Sequence, residues 1–149
     1  MSVLNFNVNG VSKSATKLES KARSFNITID EPEDLGGKDE GPNPVEYILA
    51  GYAGCLNVVL NLVAKEKGIQ INSLKLDVNG DLNPSKLLGG NEDRAGFRGI
   101  NVNIEIDSPA SKEELEVLLF EAKGRCPVND TIANPTPIQY AIKQQVFVN

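Results

Sequence analysis

Apolar and polar residues alternate from Phe97 to Ile106, placing Ile100, Val102, Ile104 and Ile106 on one side and predicting a strand. A second alternating run, Ile71 to Leu82, carries Leu74, Leu76 and Val78. Alternation is weaker from Val3 to Val11, a further strand, and Lys17 to Ile29 reads as one or two more. Pro44 to about Lys67 is different: it is apolar nearly all round and predicts one long helix. Asn43 stands at its N-cap and Pro44 at its first position, where a missing N–H costs nothing. Glu46 completes a capping box, and Gly68 is a usual C-terminal stop. Ser111 with Glu114 opens a helix through Ala122, and Cys126-Pro127 starts a short one. The turn Asn134-Pro135-Thr136-Pro137 leads to a final strand, Ile138 to Val148. Asp30 to Gly41 is a charged loop, and Asn83 to Gly96 a Gly- and charge-rich connection. Strands, long helix, strands, two helices and a closing strand make an α+β class.

The long helix changes the picture of the whole molecule. Tyr47 to Ala64 carries no charge and just reaches spanning length. It also holds two glycines, Asn57 and Asn61, and no basic loops flank it, so it reads as a core or dimer helix rather than a membrane span. A helix apolar on nearly every side needs protein around it. A chain of 149 residues, read as a single domain over 1–149, can hardly surround it alone, so a partner subunit is expected. Net charge is −5 and the basic residues are scattered, which argues against nucleic acid or anionic membrane as a partner. The start, Met1-Ser2-Val3-Leu4-Asn5, lacks a signal-peptide pattern, and a cytoplasmic location with reduced thiols is expected.

Candidate chemistry narrows to two residues. Histidine is absent, which excludes Cys–His, Ser–His–Asp and His-ligated zinc sites. Two cysteines are too few for a self-contained zinc or iron–sulfur centre. Cys55 lies inside the long helix in a run of small residues, Ala50-Gly51-Tyr52-Ala53-Gly54. Gly51 and Cys55 share a face, with Tyr52, Val58, Val59 and Leu62 beside them. That surface serves either close helix packing, with Cys55 a small buried hydrophobe, or a reactive thiol. Cys126 follows Arg125 at a helix start, where a thiol is expected to be exposed and its pKa lowered. The cysteines are 71 positions apart and form no CxxC motif. Glu46 precedes Cys55 by nine residues, roughly 13 Å along a helix and on the opposite face. It either caps the helix or acts on Cys55 across a dimer interface.

The segment Gly41-Pro42-Asn43-Pro44-Val45-Glu46-Tyr47-Ile48-Leu49-Ala50-Gly51-Tyr52-Ala53-Gly54-Cys55 resembles the cysteine helix of the OsmC/Ohr family, the osmotically inducible and organic hydroperoxide resistance proteins. Arg125-Cys126-Pro127-Val128 is similar to that family's second cysteine motif, and the order of elements fits over nearly the whole chain. Asp30-Glu31-Pro32 and Gly36-Gly37 look most like the general OsmC-like branch. The resemblance implies an OsmC-like fold, an intertwined homodimer with active sites at the subunit interface, and a thiol peroxidase that uses no cofactor or metal. Cys55 looks like the peroxidatic cysteine and Cys126 like the resolving one. The implied substrate is an organic hydroperoxide, and the implied reductant is an external dithiol, typically a lipoyl group on a protein. Two departures stand out. Val45 occupies the place of the family's Glu, with Glu46 one residue later, and no Arg lies between Arg23 and Arg94 to hold the thiolate. Arg23, at the start of a strand, is the first candidate for that role and Lys38 a weaker one, since it lacks the guanidinium fork. The alternative is a protein of the same fold that binds a small apolar or acyl ligand at its interface, or senses redox state, without peroxidase activity.

Overall fold

The computed structural model describes residues 1–144. Strands β1 (Asn9–Ser12), β2 (Leu18–Ala22) and β3 (Phe25–Ile29) form an antiparallel meander. The long helix α1 (Pro44–Lys67) follows, then the hairpin β4 (Ser73–Asp81) and β5 (Gly99–Asp107). Helices α2 (Lys112–Arg125) and α3 (Pro127–Ala133) close the described chain. The class is α+β, as the hydrophobic pattern predicts.

The caps set the helix limits. Asn43 Oδ1 accepts from the Glu46 N–H at 2.9 Å while Glu46 Oε2 accepts from the Asn43 N–H at 2.8 Å. Gly68 ends α1 with φ 68°, the left-handed conformation that glycine adopts without steric cost. Ser111 and Glu114 make the same reciprocal pair at the start of α2. This helix runs one turn past Ala122, because Arg125 reaches Glu121 on its own helix and Glu66 on α1.

The core lies between α1, α2 and the β4–β5 hairpin. Leu56, Leu60, Val63 and Ala64 of α1 meet Leu118 and Ala122 of α2, all buried. The register pairs Leu74 with Ile106, Leu76 with Ile104 and Val78 with Val102, so one face of the hairpin carries all six against this cluster. The β1–β3 meander is tied in through its last strand. The Tyr47 hydroxyl donates to the Thr28 carbonyl at 2.7 Å, and the Asp30 N–H donates to the Pro42 carbonyl at 3.3 Å. Buried Asp30 also holds the acidic loop, accepting from the Lys38 and Glu40 N–H groups at 3.1 and 3.3 Å.

Two expected strands differ. Of Val3 to Val11 only the last residues pair, and Val3, Leu4, Phe6 and Val8 are exposed. Of Ile138 to Val148, residues 138–144 form no strand and the remainder lies outside the described residues. A strand needs a neighbour to complete its ladder, and among the described residues 3–8 and 138–144 pair with none. Their apolar side chains, Ile138, Tyr140 and Ile142 among them, point to solvent.

Helix α1 is long and apolar enough by composition to cross a membrane, but only one side of it is buried in the chain. At ~100° per residue the core residues Leu56, Leu60 and Val63 occupy one side. Ile48, Gly51, Gly54, Val58 and Leu62 occupy the other and are exposed. The face expected to be continuous around Cys55 is therefore divided, with Tyr52 and Val59 buried and the others open.

Candidate functional site

Cys55 lies on the boundary between the two sides of α1 and is half-buried. Cys126 is fully buried, at 1% exposure. Leu118, Ala122 and Cys126 recur every four residues, a stripe that continues past the end of α2 and aims the second thiol at α1. The two sulfurs, 71 positions apart, come within 2.9 Å, the Cys126 S–H donating to Cys55 Sγ. Both are free thiols.

This corrects the expectation that Cys126 is exposed with a lowered pKa. Burial pushes its thiol above the usual range, and the neighbouring Cys55 sulfur adds to the rise. The N–H groups of Asn129 and Val128 oppose that shift without cancelling it. Cys126 is nonetheless at a helix start: its sulfur takes the N-cap place of α3 and accepts from the Asn129 N–H at 3.4 Å. A helix start that faces solvent lowers a thiol pKa, but here the Leu118–Ala122 stripe puts it in the core.

A polar cluster surrounds the pair. The Tyr52 hydroxyl donates to Asn129 Oδ1 at 2.5 Å. Asn129 Nδ2 donates to the Lys123 carbonyl at 3.3 Å. The Tyr52 phenol is pushed up by burial first, then by charge on Cys126 and Cys55. Next to Cys126, the Arg125 guanidinium lies against both carboxylate oxygens of Glu66, at 2.5 and 3.0 Å, and reaches Glu121 at 3.2 Å. Glu121 is shared with Lys67 at 2.7 Å. These cations hold both carboxyls below the usual range. Arg125 thus fastens the end of α2 to α1 and is turned away from the thiols.

The other expected residues lie elsewhere in this chain. Arg23 is not at a strand start but in the two-residue turn between β2 and β3. Its φ is 57° and its guanidinium sits 5.1 Å from the Phe25 ring centroid. Among the described residues it makes no hydrogen bond to either sulfur. Glu46 has its carboxylate engaged in the α1 cap. The Lys38 N–H is held by Asp30 in the acidic loop. A groove of about 790 Å³ runs over the β1–β3 meander beside Arg23, Lys13 and Lys21, and the thiol pair is not part of it. Among the described residues no cluster of three or more metal-ligating side chains occurs.

Pattern reading put Tyr52 beside Cys55 but missed its bond to Asn129 and the Arg125–Glu66 pair. Tyr52 lies one helical turn before Cys55, and Asn129 three residues after Cys126, where an N-cap atom finds its N–H donor. Those offsets are visible in the sequence. The contacts, which join positions 77 and 59 apart, are not.

Known proteins place this arrangement. A Mycoplasma genitalium protein named hydroperoxide reductase is 27% identical over 128 residues, covering 85% of this chain and 86% of the relative. The Bacillus subtilis organic hydroperoxide resistance protein OhrB is 28% identical, over 69% of this chain and 71% of its own. The crystal structure of an OsmC like protein from Mycoplasma pneumoniae superposes with a TM-score of 0.74 at 28% identity, covering 87% of this chain and 88% of that one. The family model for OsmC-like protein matches residues 37–141, a span that holds α1, the β4–β5 hairpin and both cysteines, and the chain belongs to that family.

Proposed function

We propose that the protein is a cysteine-based organic hydroperoxide reductase that works as a homodimer in the cytoplasm, with Cys55 peroxidatic and Cys126 resolving. The observation that carries the reading is the 2.9 Å approach of the two sulfurs. The Cys55 thiolate attacks the distal oxygen of the hydroperoxide, the O–O bond breaks, and the alkoxide leaves as an alcohol after taking a proton. Cys55 is then a sulfenic acid. The Cys126 thiolate attacks that sulfur, the S–O bond breaks, water leaves, and a disulfide remains. The two thiols have then supplied the two electrons that reduce the peroxide. An external dithiol of the lipoyl class restores them by exchange.

Several features support these roles. Cys55 is the more accessible sulfur and Cys126 is sealed in the core, so a peroxide meets Cys55 first. The names of the Mycoplasma genitalium and Bacillus subtilis relatives support the substrate class. A second copy is supported by the open apolar side of α1 and by the exposed apolar segments at residues 3–8 and 138–142. We assign to Arg23 of that copy the cation that holds the Cys55 thiolate, with Glu46 as its carboxylate partner. This arrangement would supply the electrostatic stabilisation the reaction needs.

The test is intact mass and thiol count of the reduced protein before and after one equivalent of cumene hydroperoxide. Loss of both thiols with a Cys55–Cys126 disulfide is expected, and Cys55→Ser should abolish turnover. Cys126→Ser should allow one turnover and then overoxidation. Survival of both thiols in a large excess of peroxide would overturn the reading.

A further inference from the structure

Asn129 occupies an unusual position. Its N–H lies on Cys126 Sγ at 3.4 Å, its Oδ1 accepts the Tyr52 hydroxyl at 2.5 Å, and its Nδ2 binds the Lys123 carbonyl at 3.3 Å. One side chain thus ties the first turn of α3 to α1 and to the last turn of α2, around a buried thiol. The tyrosine is itself buried and sits one turn ahead of Cys55 on the same side of α1. The same two residues are therefore bonded to each other and adjacent to opposite ends of the sulfur pair.

We propose that Tyr52 and Asn129 are a positioning pair for disulfide closure: their side-chain bond holds the Asn129 N–H on Cys126 Sγ and keeps that sulfur aimed at Cys55. The inference rests on the two-cysteine reading above and deepens it. In closure, the Cys126 proton departs, the Cys126 sulfur attacks the sulfenic sulfur of Cys55, the S–S bond forms as the S–O bond breaks, and hydroxide leaves as water. Both electrons for this step come from Cys126. The sulfur must carry negative charge while buried, where solvent cannot stabilise it, so a fixed N–H donor lowers the barrier. With both ends of its carboxamide bonded, Asn129 cannot rotate and take its backbone with it. The titratable groups facing Cys126 are Cys55 and Tyr52, both from α1. Arg125 is committed to Glu66 and Glu121. Burial raises the Tyr52 phenol pKa, which favours its neutral, hydrogen-donating form.

Tyr52→Phe removes the hydroxyl and keeps the ring. Asn129→Ala, at a half-buried site, is the second variant should the first fold poorly. Rapid mixing with cumene hydroperoxide separates the two steps, with sulfenic acid trapping reporting the first and loss of the second thiol reporting closure. The expected loss falls on closure, about tenfold for each variant, as for one buried hydrogen bond. The pH at which closure reaches half its maximal rate moves upward, which a merely structural defect would not produce. The double variant should close no more slowly than Asn129→Ala alone, since that variant already lacks the bond that Tyr52→Phe removes. Closure of the same pair driven by oxidised glutathione provides a readout independent of peroxide. If the parent protein does not react with peroxide but closes with glutathione, the hydroperoxide reading fails while the positioning role is still measured. Closure at the parent rate with an unchanged pH profile in both variants would overturn the proposal.

Discussion

The open side of α1 makes a prediction whose sign decides between a monomer and a dimer. A Cβ added at Gly51 or Gly54 meets no atom within 4 Å in the chain. In an isolated chain Gly→Ala at either position would therefore bring only the gain in helix propensity, about 1 kcal/mol. That would raise the melting temperature by roughly 2–4 °C in a domain of this size. The surface around these glycines argues for the opposite outcome. Val58 is 63% exposed and Ile48 and Leu62 are each 46% exposed, so a second copy has apolar area to cover there. Residues without side chains between them let two helices approach closely. In the proposed homodimer the added methyl would push the helices apart, at about 1–3 kcal/mol per site. Subtracting the propensity gain of about 1 kcal/mol leaves a net loss of up to about 2 kcal/mol. Gly54→Ala and Gly51→Ala are thus expected to melt lower and to dissociate at higher concentration than the parent. Sedimentation over a dilution series measures the second effect. Thermal unfolding must be compared at one protein concentration, because a dimer's melting point depends on it. Two alanine variants that melt higher, from a parent that sediments as a single chain, would refute the reasoning.

Leu118→Ala should cost about 3 kcal/mol in urea unfolding, since the side chain is fully buried between α1 and α2. Its exposed neighbour Val117, changed to Ala, should cost well under ~1 kcal/mol, and equal losses would show that α2 is misoriented. Asn43→Ala removes the N-cap of α1 and should cost about 1 kcal/mol, read as a lower urea midpoint. An unchanged midpoint would mean that the capping box is not formed in solution. The raised Cys126 and Tyr52 pKa values give reduced protein a stability contribution that is complete below their ordinary pKa values of 9.0 and 10.0. It is lost as pH rises through the folded values. The urea midpoint under reductant should therefore fall at alkaline pH, and a flat profile would contradict the burial of Cys126. Glu66 and Glu121, held low by Arg125 and Lys67, act in the opposite direction. Their contribution is present above the ordinary value of 4.5 and is lost as pH falls through the lowered folded values, a decline that Arg125→Gln should weaken.

What could be read from the chain was what short-range physics decides. Both capping boxes, the Gly68 stop and the β4–β5 alternation involve residues within a few positions of one another, and each is where the pattern puts it. The approach of Cys55 to Cys126 was legible only through resemblance to a family, because no local pattern links positions 71 apart. The exposure of Cys126 was misjudged for a related reason. A helix start is a local feature, but whether it meets water depends on the Leu118–Ala122 stripe that carries it into the core. The terminal strands make the same point from outside the chain. Val3 to Val8 and Ile138 to Ile142 have the composition of strands and join no ladder among the described residues. Composition specifies a tendency to pair, and only a neighbour can satisfy it. Arg23 belongs to the same group, since a guanidinium on a hairpin turn over Phe25 has no thiol to serve within its own chain. Among the described residues, the segments 3–8 and 138–142 pair with no strand, one side of α1 is uncovered and Arg23 makes no hydrogen bond to either sulfur. The proposed second copy accounts for all three at once, which makes the oligomeric state the measurement on which the proposed roles of Arg23 and Glu46 depend.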